Sequence, residues 1–179
     1  MKPELHFLLL PLSRLAVGLL LVLGLTACAT LDHDARLVPG RSDAAQVTVL
    51  YGQPKKVWPV ADGGRTLEYS SQPFGQTCFM VRLDAAGRLV SVEDTLRDET
   101  VRFAAIQPGM TPEQVSRRLG TERSRVFFPL SGEDVWDWNV PNGQRGYLLR
   151  FNVHFKDGRV VRATEVMVFP EREGLLFSR

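Results

Sequence analysis

Pro39-Gly40-Arg41-Ser42-Asp43-Ala44-Ala45-Gln46-Val47-Thr48-Val49-Leu50-Tyr51-Gly52 returns later in the chain as Pro108-Gly109-Met110-Thr111-Pro112-Glu113-Gln114-Val115-Ser116-Arg117-Arg118-Leu119-Gly120. The Pro-Gly pairs lie 69 positions apart, and the Gln-Val pairs and the closing glycines 68. Leu67-Glu68-Tyr69-Ser70 is answered by Trp136-Asp137-Trp138-Asn139, and Val81-Arg82-Leu83 by Val153-His154-Phe155. Landmarks in one order at nearly one offset mean a duplicated unit, and the period is too long for a solenoid repeat.

Both copies have the same grammar. A short helix opens on a capping residue: Thr111, with Pro112 at the first helical position and Gln114 three along, and Ser42 with Asp43 as the weaker equivalent. Gly120 and Gly52 end the helices, where a left-handed cap favours glycine. Helices of two or three turns do not persist alone, so each needs a surface to pack on. Tyr147, Leu149, Phe151, Val153 and Phe155 alternate with Leu148, Arg150, Asn152 and His154, the period of a strand with one buried and one polar face. Asp157-Gly158 then predicts a tight hairpin into Val160–Val166. Phe79, Val81 and Leu83, a turn at 85–87, and Val90 and Val92 copy this pattern. Val57-Trp58 and Arg125-Val126-Phe127-Phe128 each add a strand. The expected fold is α+β: two tandem α-β-β-β(-β) units, each a short helix on an antiparallel meander sheet.

The first residues read differently. Lys2 and Arg14 supply positive charge, 15–25 an apolar run, and Thr26-Ala27 small residues before Cys28. The run is too short to span a bilayer, which needs about 20 residues. The Leu25-Thr26-Ala27-Cys28 string resembles the lipobox of bacterial lipoproteins, which implies cleavage between Ala27 and Cys28 and acylation of the Cys28 thiol. The expected organisation is a signal peptide over 1–27, a lipidated tether over 28–37, one repeat over 38–100, a second over 101–169, and a tail over 170–179.

Residues 108–120, followed by a Trp-Asp-Trp strand and a Lys-Asp-Gly-Arg-Val hairpin, resemble the SmpA/OmlA (BamE-like) family of outer-membrane lipoproteins. The second half carries this resemblance clearly and the first weakly, since Arg41-Ser42-Asp43 replaces Met110-Thr111-Pro112. The tandem arrangement is similar to that of β-lactamase-inhibitor protein, which joins two such units into a concave sheet. The resemblance implies a periplasm-facing, outer-membrane location, attachment to the membrane through acyl chains, and another envelope protein as partner. Ala29 after the cysteine agrees with outer-membrane sorting.

Composition narrows the remaining choices. A net charge of +2 with interleaved signs argues against a nucleic-acid partner. With Cys28 acylated, Cys78 is left alone and no internal disulfide forms. His154 falls on the polar strand face, and Cys78 aligns with Arg150 on that same parity. Glu68 and Asp137 read as solvated strand acids. No triad, no metal-ligand spacing and no phosphate loop stands out, so neither an enzyme, a cofactor nor a metal is expected. Aromatic side chains remain: Trp136 and Trp138 are expected in the core, and Phe74, Trp58 and Phe128 are the candidates for partner contact. Three functions follow: a protein-binding scaffold for envelope assembly or maintenance, an inhibitor clamping a periplasmic enzyme through loops at Phe74 and Asn142-Gly143, or a small-ligand or lipid-binding protein, which requires a sizeable apolar pocket between helix and sheet.

Overall fold

The computed structural model describes residues 36–143 and 147–169. Cys28, the proposed signal and the tail over 170–179 lie outside the described residues. The element order is α1 (Ala44–Tyr51), β1 (Lys56–Pro59), β2 (Arg65–Ser70), β3 (Cys78–Leu83), β4 (Leu89–Asp94), α2 (Glu99–Ala105), α3 (Pro112–Leu119), β5 (Ser124–Phe128), β6 (Glu133–Val140), β7 (Leu148–Lys156) and β8 (Arg159–Val168). β1 to β4 form one antiparallel meander and β5 to β8 a second. The architecture is therefore α+β with tandem units, including the additional first strand in each. No described helix is long and apolar enough to cross a membrane.

The helix ends follow the cap chemistry with one correction. Asp43, not Ser42, is the N-cap of α1: its carboxylate accepts from Gln46 N–H at 2.9 Å, and the Gln46 side chain accepts from Asp43 N–H at 3.0 Å. Asp43 wins because its acceptor sits three residues before Gln46, the spacing of a capping box. Ser42 turns inward instead, where its hydroxyl accepts from Val38 N–H at 3.0 Å. Thr111 and Gln114 make the same box at α3. Gly52 and Gly120 close both helices with φ of 78° and 79°, but ψ of −153° and −167° places them in extended, glycine-only space rather than in the left-handed helical well.

Sheet 1 departs most from the expected pattern. Leu67, Tyr69, Val81 and Leu83 join Val47 of α1 and Leu37 in one core, so the folded body reaches back into the stretch read as tether. Cys78 and Met80, on the opposite side of β3, belong to a second core with Val115 and Leu119 of α3, and with Trp136, Trp138, Phe151, Val153 and Phe155 of sheet 2. Sheet 1 is thus covered on both faces: α1 lies on one, and the second repeat's helix on the other. This is why Cys78 and Glu68, read as polar-face residues, are wholly buried. Asp137 is buried too, held by Arg123 and by Ser124 Oγ at 2.5 Å. Trp136 and Trp138 occupy the core as expected.

The helix α2 spans the boundary drawn between residues 100 and 101. Asp98 caps it, accepting from Val101 N–H at 3.1 Å. Arg102 is buried and forked onto Glu165 of β8, while its Nη1 donates to Leu96 O at 2.5 Å. Phe103 meets Phe151 edge-on at 5.1 Å.

The two closing glycines differ in surroundings. Nothing lies within 4 Å of a Cβ built on Gly52, whereas one on Gly120 overlaps the Cys78 sulfur. Gly52→Ala should cost only the backbone term, about 1–3 kcal/mol. Gly120→Ala should cost that plus overpacking of about 1–3 kcal/mol. Cys78→Ala should relieve the second part, so denaturant unfolding of the double variant should show less than additive loss. Equal costs for the two glycines would refute the described packing.

Candidate functional site

Two of the concave surfaces among the described residues hold candidate residues. The larger is a cleft of about 880 Å³ whose floor is the part of sheet 1 that α3 leaves uncovered. Thr66, Arg82, Ser91 and Glu93 form the floor, Val101 and Ala104 of α2 one wall, and Arg117 and Arg118 of α3 another. Trp58 stands at its lip. The Trp58 Nε1 donates to Glu68 Oε2 at 2.9 Å, and its ring lies beneath the Arg117 guanidinium at 4.9 Å and Lys56 Nζ at 5.2 Å. Arg117 also donates to Pro59 O at 3.1 Å. Trp58 is therefore committed to an internal contact on its polar edge and stacked with cations on its face.

Electrostatics around the cleft are local. The Asp62 carboxyl is held below its usual range, first by the Gly64 N–H that it accepts, with Arg82 adding to the effect against some desolvation. Deeper in, burial pushes the Cys78 thiol up to about 12; the Glu68 carboxylate adds to the rise, and bonds from Thr95 and Ser70 offset part of it. At neutral pH this sulfur is a protonated thiol, not a nucleophile.

The second surface is a shallower dish of about 470 Å³ on the face of sheet 2 away from α3. His154 sits there: Nδ1 lies 3.1 Å from Glu133 Oε2, and Nε2 lies 3.0 Å from Thr164 Oγ1. Arg162 forks onto Glu133 at 3.0 and 2.7 Å. Phe128 forms part of the rim. On the β5 edge and the turn after it, Val126, Phe127, Phe128 and Leu130 are all exposed, Leu130 completely.

Phe74 belongs to neither surface. It is 95% exposed at the tip of a loop whose base is closed by Ser71 N–H to Thr77 O at 3.0 Å and Gly75 N–H to Ser71 O at 2.8 Å. The loop is pinned to sheet 2. Gln72 Nε2 donates to Asn139 O at 2.8 Å, and Gln72 Oε1 accepts from Asn139 N–H at 3.2 Å, a side-chain amide standing in for a strand beyond the end of β5. Asn139 Nδ2 donates to Pro73 O at 2.7 Å. At the Asn142-Gly143 turn, Asn142 Nδ2 donates to Tyr147 O at 3.2 Å.

Of the three aromatic candidates, Trp58 thus lines the cleft, Phe128 the dish, and Phe74 stands apart on its own loop. Sequence reasoning did not single out Arg82, Arg117 and Arg118 of the cleft. Their signal lies in tertiary pairing, since each is an ordinary surface arginine in its own element. The strand alternation did place Arg150, Asn152 and His154 on one face. Among the described residues, no group of three or more His, Cys, Asp and Glu side chains is arranged to hold a metal.

No family model and no curated protein matches this chain. Among solved structures, a candidate β-lactamase inhibitor protein of Streptococcus mutans is similar at 12% identity with a TM-score of 0.30, over 70% of this chain and 82% of its own. An extracellular SCP-domain protein of Bacillus anthracis is similar at 12% identity with a TM-score of 0.31, over 80% of this chain and 48% of its own. The chain therefore spans about half of that second protein. At these scores neither likeness bears on what the chain does.

The chemistry of Cys78 makes a direct prediction. In the native protein at pH 8, peptide mapping should find Cys78 unmodified by iodoacetamide, and modified once the chain is unfolded. Rapid native labelling would mean that the thiol is neither buried nor raised in pKa.

Proposed function

We propose that this chain is a non-enzymatic, lipid-anchored envelope protein that binds another protein. The observation that carries the reading is the run of exposed apolar side chains at Val126, Phe127, Phe128 and Leu130 on one edge strand and its turn. Contiguous exposed apolar surface of this kind marks an interaction site, because leaving it in water is unfavourable. A tether through acyl chains on Cys28 would hold this edge near membrane-bound partners and raise their effective concentration. The resemblance of residues 108–120 to SmpA/OmlA proteins supports outer-membrane assembly or maintenance as the setting, with the chain on the periplasmic side.

A second reading has its own observation. A loop clamped at its base and pinned through Gln72 and Pro73, with a bare phenylalanine at its tip, is pre-organised to enter a cavity on a partner. Pre-organisation of that sort lowers the ordering cost of binding, and an inhibitor of a periplasmic enzyme would use it.

Cys28→Ala should abolish palmitate labelling and release the protein from membranes; label retained by the variant would remove the lipoprotein reading. A photo-reactive amino acid at Phe128 should crosslink to an envelope protein in intact cells, while the same group at the solvent-facing Glu113 should not. Adducts from Phe74 to a soluble hydrolase, with none from Phe128, would favour the inhibitor over the scaffold.

A further inference from the structure

Beside the edge strand β5, where α3 begins at Pro112, sheet 2 has a further hollow of about 310 Å³. Its floor is one row of cross-strand neighbours on the α3 side of the sheet. Phe127 of β5 pairs with Asp134 of β6, and Asp134 with Phe155 of β7. Trp136 lies two residues along β6, and Asp157 lines the hollow from the hairpin turn.

The hollow carries negative charge with nothing to match it. Asp134 and Asp157 are both exposed, and among the described residues neither carboxylate has a hydrogen-bond or ion-pair partner. Basic side chains on the same elements are committed or turned away. Arg125 lies on the Trp136 ring and pairs with Glu122, and Arg159 donates to Gly109 O at 3.2 Å. Lys156 alternates onto the other face of β7 from Phe155. Unmatched carboxylates among aromatic faces suit an incoming cation.

The neighbouring backbone decides how that cation arrives. β5 is an outer strand of its sheet. Alternate residues of an outer strand direct N–H and C=O groups away from the sheet, a template for one more strand. Phe127, 60% exposed, faces the hollow, and Phe128 faces the dish. Val126 shares the side of Phe128 by alternation. A strand laid along β5 therefore sets one residue beside Phe127 and its two neighbours beside Val126 and Phe128. From that strand Asp134 is two strand spacings away, roughly 10 Å, because β5 lies between. Only a long basic side chain, extended over the Phe127 ring, covers the gap. Arg125 already lays its guanidinium on its cross-strand neighbour Trp136, 3.8 Å from the ring centre. The same stacking on Phe127 favours arginine over lysine.

We infer that β5 takes up an extended segment of a partner protein as an added strand of sheet 2. An arginine of that segment lies over Phe127 and reaches Asp134, and its apolar side chains meet Val126 and Phe128. The inference rests on the reading of β5 as the partner-binding edge, and adds the backbone conformation and the charge of what binds there. The same carboxylates repel an acidic segment, so the edge discriminates among strands by charge.

The test uses the full chain in lipid nanodiscs and a capped peptide, Val-Thr-Val-Arg-Val-Thr-Val, followed by amide NMR. The peptide should shift the β5 amide resonances saturably and slow their exchange with solvent. A twin with glutamate in place of arginine should bind about tenfold or more weakly. A twin N-methylated at alternate residues should not bind. Asp134→Lys, at an exposed position, should reverse the order of the arginine and glutamate peptides. Should that variant not fold, the double variant Asp134→Asn, Asp157→Asn decides, and it should lose the preference for arginine. Equal binding of the two peptides by the unaltered chain, undiminished binding of the N-methylated one, or no binding would overturn the inference. So would protection of the β5 amides that rises with protein concentration when no peptide is present, which is pairing with a second copy. Crosslinking from Phe128 in cells separates the two failures. With adducts to an envelope protein, a peptide that does not bind removes strand addition and leaves the edge as the partner site; without them, the edge itself is lost.

Discussion

The buried carboxylate of Glu68 is the constraint on which the arrangement depends. A charge taken out of water is costly unless hydrogen bonds replace its hydration. Glu68 accepts from Thr121 N–H at 2.7 Å, from Thr121 Oγ1 at 2.5 Å and from Trp58 Nε1 at 2.9 Å. Two of those donors come from the residue directly after the α3 cap, so satisfying the carboxylate fixes where α3 ends. Trp138 Nε1 then donates to Gly120 O at 3.3 Å, and Thr95 Oγ1 to Leu119 O at 3.4 Å. The carbonyls at the end of the helix are thereby met from both sheets, as a buried helix terminus requires. With α3 held there, the uncovered remainder of sheet 1 becomes the cleft.

Duplication placed the same kind of acid at the same register in both sheets and then assigned it different work. Glu68 recruits a neighbouring repeat. Asp137 is satisfied inside its own sheet by Arg123 and Ser124, so it leaves no acceptor demanding another helix. The surrounding residues changed in step, from Cys78 and Met80 to Arg150 and Asn152. A terminal repeat needs a polar outer face to remain soluble, and sheet 2 has acquired one.

Much of the fold was legible because its signals are local. Period-two alternation over Leu148–Lys156, the Thr111–Gln114 capping box and the closing glycines each act within a few residues. Short apolar runs located the extra strands at Val57 and Val126. What escaped reading is tertiary. The parity rule gave Cys78 and Glu68 to solvent, and no pattern inside the first repeat could announce that the second repeat's helix would cover them. α2 was missed because seven residues carry too little periodicity; its burial depends on Arg102 finding Glu165, 63 residues away. For the site, exposure of Phe74 followed from its turn-rich context, while the convergence of Arg82, Arg117 and Arg118 exists only once α3 sits on sheet 1.

The edges of the two sheets sharpen the case for interaction at β5. An unpaired strand edge invites aggregation, and proteins blunt such edges by shortness, charge or cover. β1 is four residues long, carries Lys56 and ends at Pro59. β4 meets the α1 cap, with Gly40 N–H donating to Leu89 O at 2.8 Å and Leu89 N–H to Ser42 O at 2.8 Å. Part of β8 is taken by the Gly109-Met110 turn, through Val160. β5 has the least of such protection. Its one cation, Arg125, lies 3.8 Å from the centre of the Trp136 ring and pairs with Glu122, and Val126, Phe127 and Phe128 beside it face water. Two edges blunted, a third met in part and a fourth left apolar is the distribution expected when one edge is kept for a partner, and it is hard to reconcile with a chain whose only requirement is to stay soluble.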